Sequence, residues 1–329
     1  MIITRTPFRI SFFGGGTDYP PWYRENGGAV LATTIDKYCY LSCRYMPPFF
    51  DARYRTVYSQ IELTKGIDDI RHPSVRACLN LFDFKSDGTE IVHYADLPSR
   101  TGIGSSSSFT VGLIHALSGL KGQMLSKRQL AEKAIEIEQN VLRENVGSQD
   151  QVSAAFGGFN LIRFDAGGFE CRPVTIPHHR LMDLEQSLLL IYTGVARSSS
   201  EIAEHQINNI GQRTSELRQL REMVDQATEI LASNGDLSDF GRLLHETWLI
   251  KSRLSDRIST KLVDDIYAEA RAHGAIGGKL LGAGGGGFML LFVERHQRPT
   301  VVKALADYLQ VPFRFESLGT QVIYYQHQH

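Results

Sequence analysis

Residues 96–108 read DLPSRTGIGSSSS. Two glycines, Gly102 and Gly104, let the backbone fold tightly and bring its N–H groups close to a ligand. The serines then open a helix predicted over 105–120, whose N-terminus offers unpaired amide donors and the positive end of a dipole. The segment predicts either a phosphate site or a serine-rich cap on an ordinary helix.

The same serines also suit a metal ion. Their hydroxyls could coordinate Mg²⁺, a hard cation that takes oxygen ligands. The segment is not a Walker A loop, because no Gly-Lys-Ser/Thr triplet follows the glycines.

A second glycine cluster lies at residues 277–288, GGKLLGAGGGGF. Gly282, Gly284 and Gly287 formally satisfy G-x-G-x-x-G, the dinucleotide fingerprint. That fingerprint needs a strand before it and a helix after it, whereas here a strand predicted over 288–293 follows. We therefore reject a dinucleotide site. The cluster has more glycines than a hairpin turn requires, which predicts a close approach of its backbone to another element or a ligand.

A third cluster, RISFFGGGTDYP at residues 9–20, runs from a predicted strand into glycines and a polar pair. Asp18 could stabilise a turn through its own backbone, which is its commonest structural use. It could also accept hydrogen bonds from sugar hydroxyls.

Two further carboxylates follow the serine-rich segment. Glu138 lies late in a helix predicted over 126–143, in which Ser126 and Gln129 fit a capping box. Asp150 follows in VGSQDQ (146–151), just past the predicted end of that helix. Taken alone, Glu138 would be a solvated helix-surface charge and Asp150 a loop or capping residue.

Composition narrows the function classes. The chain has 329 residues, enough for two domains, and its net charge of −1 argues against a nucleic-acid binder. No apolar stretch approaches the roughly 18 residues needed to span a bilayer. The N-terminus lacks the layout of a signal peptide, and four cysteines do not make a disulfide framework. We expect a cytoplasmic protein with free thiols.

Strands cluster between paired helices rather than alternating with them, which predicts α+β layers. Short strands are expected over 2–4, 8–13, 29–34 and 38–45, with a turn at Asp36 and Lys37. Residues 199–271 are expected to be helical, and a further helix is expected over 299–309. The predicted boundary divides the chain into domains 1–179 and 180–329.

Three segments together resemble the motifs of the GHMP kinase superfamily, which includes galactokinase, homoserine kinase and mevalonate kinase. They are residues 6–19, Pro98 with GIGSS (102–106), and KLLGAGGGG (279–287). Their order and spacing agree over nearly the whole chain. Within the superfamily, GGGTDYPP (14–21), TIDKY (34–38) and YTGVAR (192–197) look like the D-glycero-D-manno-heptose 7-phosphate kinase branch.

The resemblance implies a two-domain fold with a nucleotide between the domains. The N-terminal domain would resemble ribosomal protein S5 domain 2, and the C-terminal domain would be ferredoxin-like. The implied reaction uses ATP and Mg²⁺ to phosphorylate the C1 hydroxyl of heptose 7-phosphate. Its 1,7-bisphosphate product would serve nucleotide-activated heptose for bacterial surface polysaccharides. The implied partners are small molecules, neither nucleic acid nor a membrane, with a homodimer as an option.

The resemblance also assigns roles to residues. Asp150 would contact the reacting hydroxyl beside Arg9, and Ser106 and Glu138 would be the Mg²⁺ ligands, with Ser105 as a second candidate for the serine. The implied phosphate-binding residues are Gly102, Ile103, Gly104, Ser105, Ser106 and Ser107. The implied substrate-binding residues are Gly15, Gly16, Thr17, Asp18, Arg197, Gly284 and Gly285.

Some alternatives stay open. Galactokinase has Glu-His where this chain has Gly15-Gly16, which favours a bulkier substrate than galactose. Asp150 could be a general base or only orient the hydroxyl. The substrate could be a neutral sugar such as fucose, or the chain could be a non-catalytic sugar-binding regulator, although a regulator would not need Glu138 and Asp150.

A remote phosphate on the substrate would need a cation beyond the ATP site. Arg197, which precedes three serines at a predicted helix start, is the candidate, and Lys37 is a second one. The ordinary alternative for Arg197 is a surface pair with Glu201.

Overall fold

The structure is a computed structural model, and it describes residues 1–195 and 199–326. The strands are β1 (Ile2–Phe13), β2 (Gly28–Tyr45), β3 (Tyr54–Val57), β4 (Ile61–Thr64), β5 (Thr89–Ala95), β6 (Phe159–Asp165), β7 (Gly168–Pro173), β8 (Leu188–Tyr192), β9 (Ala275–Leu280), β10 (Phe288–Val293), β11 (Leu309–Gln310), β12 (Phe315–Glu316) and β13 (Gln321–Tyr325). The helices are α1 (Pro20–Asn26), α2 (Pro73–Leu81), α3 (Ser105–Leu120), α4 (Lys127–Ile135), α5 (Gln149–Phe156), α6 (His178–Gln186), α7 (Ser199–Asn208), α8 (Thr214–Ala232), α9 (Ser238–Lys251), α10 (Lys261–Ala272) and α11 (Arg298–Ala304).

The first sheet is built around the long antiparallel pair β1 and β2. In the described part of the chain it has nine strands, with the order β13-β1-β2-β5-β3-β4 along its main path; β6 and β12 also pair with β2, and β7 pairs with β6. Helix α3 packs against β1 and β2. The apolar residues of β1 are almost completely buried, so the sheet has a covered face on which the α3 N-terminus is fixed.

The predicted breaks in β1 and β2 are wrong. Pro7 does not interrupt β1, and the turn expected at Asp36 and Lys37 is an irregularity inside the continuous strand β2. The register moves from Pro7 opposite Tyr38 to Phe8 opposite Ile35. Residues 36–37 are therefore the extra residues of a bulge, which bends a strand without ending it.

The helix predicted over 126–143 is regular only in its first half. Its start is confirmed, because Ser126 and Gln129 form the predicted capping box. The α-helical part ends at Ile135, and a π-helical segment follows over Glu136–Val141. Such wide turns are rare and are frequently found at functional sites. Glu138 lies in this segment.

The second sheet contains β11, β8, β10 and β9 in that order, all antiparallel. Helices α9 and α10 pack on it. The helix predicted over 299–309 ends earlier, at Ala304, and Leu309 already belongs to β11. The chain then returns to the first sheet with β12 and β13. The two sheets and their helices agree with the predicted α+β layers, while the division at residues 179 and 180 stays a prediction.

The two sheets meet where the glycine-rich loops touch. A Cβ on Gly282 would lie 2.4 Å from the Cα of Gly102, and one on Gly287 would lie 2.3 Å from the carbonyl oxygen of Thr101. The predicted close approach of the 277–288 backbone to another element is confirmed. The element it approaches is the loop that precedes α3, so the C-terminal glycines hold the N-terminal loop in place.

Candidate active site

A cleft of about 1060 Å³ lies between the two sheets. One wall is formed by β1, the loop before α3 and the start of α5. The other is formed by α7, the end of α9 and the loop after β9. Pockets for a single drug-sized ligand usually measure about 300–1,000 Å³. The cleft is therefore large enough for two small substrates together.

The N-terminus of α3 opens into the middle of this cleft. Gly102, Gly104, Ser105, Ser106 and Ser107 all line it. Gly104 adopts a left-handed conformation directly before the helix, which turns the first amides of α3 toward the cleft. Ile103 is completely buried and does not line the cleft; its carbonyl accepts the Arg9 backbone N–H at 3.1 Å.

Arg9 and Asp150 form a bidentate ion pair beside this loop. The Nε–H group of Arg9 donates to Oδ1 of Asp150 at 2.8 Å, and its Nη2 donates to Oδ2 at 2.9 Å. Its Nη1 donates to the Gly102 carbonyl at 2.5 Å. Arg9 is buried and Asp150 is partly open to the cleft, with 26% of its side chain exposed. The pair fixes a carboxylate within the cleft while leaving it reachable by a substrate.

Asp18 is buried at the end of the cleft next to Gly15 and Gly16. It accepts the Gly16 backbone N–H at 3.0 Å and the side-chain amide of Gln149 at 2.9 Å. Burial, and secondarily the charge of Asp150, raises the pKa of Asp18 above its usual value. Asp18 therefore stabilises its own turn, which was one of its two predicted roles. It also lines the cleft, where a substrate could reach it.

Glu138 is completely buried, so the ordinary expectation of a helix-surface charge is wrong. Its Oε2 accepts hydrogen bonds from Ser107 Oγ at 2.8 Å and from the amide of Gln151. Within the described residues, its Oε1 has no partner. Burial raises the pKa of Glu138 to about 7. A buried carboxylate with a free oxygen next to serine hydroxyls fits a hard divalent cation.

The serine that bonds to Glu138 is Ser107, whereas Ser106 is exposed at the first turn of α3. Ser105 and Ser106, the serines named from the sequence, lie in the same helix turn as Ser107. Which of the serines would join Glu138 at a metal ion stays a prediction.

Several predicted substrate residues do not line the cleft. Thr17 is buried and donates to the carbonyls of Gly14 and Ala29. Gly284 packs on the backbone of Ile258, and the Gly285 N–H donates to the Ile258 carbonyl. Lys37 bonds to its neighbour Asp36, away from the cleft. Arg197 lies outside the described residues.

Comparison with known proteins places the chain among kinases. Residues 73–158 match the family described as GHMP kinases N terminal domain, and residues 223–310 match GHMP kinases C terminal. The chain is 31% identical over 317 residues to D-glycero-alpha-D-manno-heptose 7-phosphate kinase of Campylobacter jejuni, covering 92% of this chain and 93% of that protein. The chain belongs to the GHMP kinase family. It is a sugar kinase that uses ATP.

Two further comparisons bear on this GHMP kinase. A crystal structure described as a D-glycero-D-manno-heptose 1-phosphate kinase from Bacteroides thetaiotaomicron has a TM-score of 0.81 at 22% identity, and covers 99% of this chain and 100% of that one. The L-fucokinase/L-fucose-1-P guanylyltransferase of Bacteroides fragilis is 25% identical over 92% of this chain, which spans 35% of that protein. Among the described residues, no helix is long and apolar enough to cross a bilayer.

An aromatic pocket at one end of the kinase cleft was missed from the sequence. His72 stacks on Phe109 with ring centroids 4.7 Å apart, while Tyr58 and His93 meet this pair edge-on. All four side chains line the cleft. Burial lowers the pKa of His72 to about 4, so its ring is neutral. Four rings from separate elements make a flat apolar pocket of the kind that suits a nucleobase.

Four polar residues at the opposite end of the cleft were also missed. They are Ser11, Gln206, Lys251 and Lys279, all less than a tenth exposed and all lining the cleft. The hydroxyl of Ser11 and the Oε1 of Gln149 have no hydrogen-bond partner among the described residues. Neither lysine lies in a charged stretch, and Lys279 was read only as part of a glycine cluster, so the sequence carried no signal for them.

Proposed function

We propose that this kinase transfers the γ-phosphoryl group of ATP to the C1 hydroxyl of D-glycero-D-manno-heptose 7-phosphate. The product would be the 1,7-bisphosphate, made in the cytoplasm for nucleotide-activated heptose in bacterial surface polysaccharides. The proposal is supported by the likeness to the Campylobacter jejuni heptose 7-phosphate kinase, which extends over almost the full length of both chains.

The observation that carries the proposal is the position of the Arg9–Asp150 pair. It lies beside the N-terminus of α3, in a cleft whose lining also includes the aromatic pocket and Asp18. We assign the aromatic pocket to the base of ATP and the Asp18 end to the sugar. The reacting hydroxyl would then meet the γ-phosphate in front of Asp150.

Asp150 would accept the hydroxyl proton or orient the hydroxyl for attack. Phosphoryl transfer leaves little covalent chemistry to the protein, so positioning and charge stabilisation carry most of it. Arg9 holds the carboxylate in one orientation through two hydrogen bonds. The free amides at the start of α3, with Gly102 and Gly104, would bind phosphate oxygens as charge develops on them.

A Mg²⁺ ion fits the residues around Glu138. We propose that Glu138 and a hydroxyl of Ser106, with Ser105 and Ser107 as the neighbouring candidates, would hold it. The partnerless Oε1 of buried Glu138 supports this assignment. Such an ion would neutralise phosphate charge when ATP is bound.

The sugar end would be recognised by Asp18 and by the groups around it. The unpartnered hydroxyl of Ser11 and the Oε1 of Gln149 would complete their hydrogen bonds with sugar hydroxyls. Gly15 and Gly16 line this end and bring no side chains into it, which leaves room for a seven-carbon sugar. Arg197 remains a candidate for its phosphate on sequence grounds.

The second candidate is a C1-kinase of a neutral sugar. The likeness to the fucokinase part of a larger Bacteroides fragilis protein favours it. In that case the cleft would need no cation for the substrate beyond those that serve ATP.

The test is an ATP-consumption screen over free and phosphorylated sugars, with the product identified by phosphorus NMR. We expect heptose 7-phosphate to give the highest kcat/KM and a new anomeric phosphate signal. A higher kcat/KM for a free hexose or free heptose would replace this proposal with the neutral-sugar kinase. No turnover of any sugar would favour the regulator.

A further inference from the structure

The sugar end of the cleft contains two buried cations whose charge the reaction described so far does not use. Lys251 is the last residue of α9 and Lys279 lies in β9, and they are 5% and 2% exposed. Both line the cleft. Within residues 1–195 and 199–326, neither forms a salt bridge, and their ammonium groups contact only backbone carbonyls. Lysines are almost never this buried without a charged partner.

The two lysines have different partners. Lys279 Nζ donates to the carbonyl of Phe12 at 2.7 Å, which ties β9 of the second sheet to β1 of the first. Lys251 Nζ donates to the carbonyls of Gly282 at 2.5 Å and Leu280 at 3.2 Å, at the start of the glycine-rich loop. An ammonium has three donors, so Lys251 retains one N–H beyond these two bonds.

The charges of two other residues of the cleft act on Lys251. They are those of Arg9, which disfavours the ammonium, and Asp18, which favours it. The N-terminus of α3 belongs to the opposite wall, whereas Glu138 is buried and does not line the cleft. Because Arg9 is already paired with Asp150, a substrate anion in this part of the cleft would be attracted by the lysines and not by a free Arg9.

We propose that Lys251 binds the phosphate of the sugar phosphate substrate, and that it is the residue by which this kinase prefers phosphorylated to free sugar. The inference rests on the proposed function and names the group that would recognise the substrate's remote phosphate. A phosphate seated against Lys251 would supply the anion that the buried ammonium lacks, and it would receive a charge-assisted hydrogen bond.

Two other roles for Lys251 make different demands. A clamp for the glycine-rich loop needs only N–H donors, and burying a full charge for that purpose alone is costly. A lysine on the transferring γ-phosphoryl group would act equally on every sugar acceptor. Only the proposed role predicts that the charge of Lys251 affects the binding of sugar phosphates and leaves the binding of free sugars unchanged.

The test compares Lys251→Met and Lys251→Arg with the wild-type enzyme on heptose 7-phosphate and on free heptose. We expect Lys251→Met to raise the KM for heptose 7-phosphate by about 10- to 100-fold, the effect of losing a hydrogen bond to a charged group. The KM values for ATP and free heptose should stay within about twofold, and Lys251→Arg should restore most of the preference.

Lys127→Met is the matched control, because Lys127 Nζ also donates to a backbone carbonyl, that of Phe156 at 2.7 Å, but lies outside the cleft. It should leave the sugar preference unchanged. Lys251→Gln is made in parallel, since it keeps N–H donors for the loop carbonyls and loses the charge. If Lys251→Met does not fold, Lys251→Gln decides the question.

The outcomes separate the two proposals. If the wild-type enzyme prefers heptose 7-phosphate and the uncharged variants keep that preference, the Lys251 assignment is wrong and the proposed function stands. An equal fall of kcat on both sugars, with unchanged KM, would move Lys251 to the transferring phosphoryl group and overturn the assignment. If the wild-type enzyme prefers free heptose, both proposals fail.

Discussion

The two walls of the cleft use their charges differently. On the N-terminal wall, Arg9 and Asp150 neutralise each other through two hydrogen bonds, and Glu138, buried behind this wall, lies among hydroxyl and amide groups. On the C-terminal wall, Lys251 and Lys279 are buried against carbonyls alone. A paired charge is held in a fixed orientation, as a group that contacts the reacting hydroxyl must be. A buried charge without a counter-ion favours the binding of a ligand of opposite charge, so it contributes to substrate selection.

This comparison predicts that changes in the N-terminal wall lower kcat, whereas changes in the C-terminal wall alter substrate selection or stability. The largest effect should come from Asp150→Asn, which keeps the shape of the side chain but cannot accept a proton. We expect kcat to fall by about 10²–10⁴-fold, the usual contribution of a general base, while ATP binding stays near normal.

The control for Asp150 is Asp183→Asn. Asp183 is an exposed carboxylate that also pairs with an arginine, Arg295, away from the cleft. It should leave kcat unchanged. A loss under about tenfold for Asp150→Asn would make Asp150 an orienting group rather than a base.

The next largest effect should come from Glu138→Gln. The amide keeps the size of the carboxylate and removes the charge, so we expect the activity at limiting Mg²⁺ to fall by at least about 10- to 100-fold, the range known for residues one shell farther from a metal. A Mg²⁺ titration of the initial rate measures this. Unchanged turnover at low Mg²⁺ would show that Glu138 is only structural.

Glu136→Gln is the matched control for Glu138. Glu136 lies in the same π-helical segment but is exposed. Its substitution should change neither the Mg²⁺ dependence nor the melting temperature. Equal effects of the two substitutions would mean that the segment, rather than the buried carboxylate, matters.

In the C-terminal glycine-rich loop, Gly287→Ala should lower stability. Gly287 has φ +103°, and a Cβ there would lie 2.3 Å from the carbonyl oxygen of Thr101. We expect the free energy of unfolding to fall by at least about 1–3 kcal/mol, the cost of holding a side chain in such a backbone conformation. Thermal or urea unfolding measures it.

Gly211→Ala is its control, because a Cβ on Gly211 meets no atom within 4 Å and its φ is not positive. If Gly287→Ala leaves the free energy of unfolding unchanged, the two glycine-rich loops are farther apart than the 2.3 Å distance requires.

The smallest effect concerns pH. Burial, and then the charge of Arg9, lowers the pKa of Lys251 to about 8, although Asp18 acts in the opposite direction. Burial, and then the charge of Lys251, lowers the pKa of Lys279 well below its usual value. As pH rises through about 8, Lys251 loses its proton and its attraction for phosphate, while the sugar phosphate, with its second pKa near 6, keeps its charge.

We therefore expect the KM for heptose 7-phosphate to rise about fourfold between pH 7 and pH 8.5, as the charged fraction of Lys251 falls. Free heptose should show no such rise. Lys251→Arg should flatten the profile, because arginine stays protonated. A rise that persists in Lys251→Arg would assign the titration to another group.

Local signals in the sequence were sufficient for the fold class and for half of the site. The three glycine-rich segments, the predicted helix over 105–120 and the capping box at Ser126 depend on neighbouring residues, and the structure agrees with each. Asp150 and Arg9 were paired through the resemblance, and they form an ion pair. The local signals did not predict the length of the first two strands. Pro7 and residues 36–37 look like strand breaks in the sequence, but β1 and β2 continue through them because the two strands pair with each other.

Burial was decided by the tertiary structure alone. The sequence presents Glu138 as one more charge on a helix, and only the packing of α2, α3 and α5 around the π-helical segment makes it a buried carboxylate with a free oxygen. The aromatic pocket needs rings from residues 58 to 109, and the two lysines reach the sugar end from α9 and β9. Such contacts join distant parts of the chain, so no pattern of neighbouring residues encodes them. The sequence therefore determined which chemistry was available, and the fold determined which charges lie paired, which lie buried and which face the cleft.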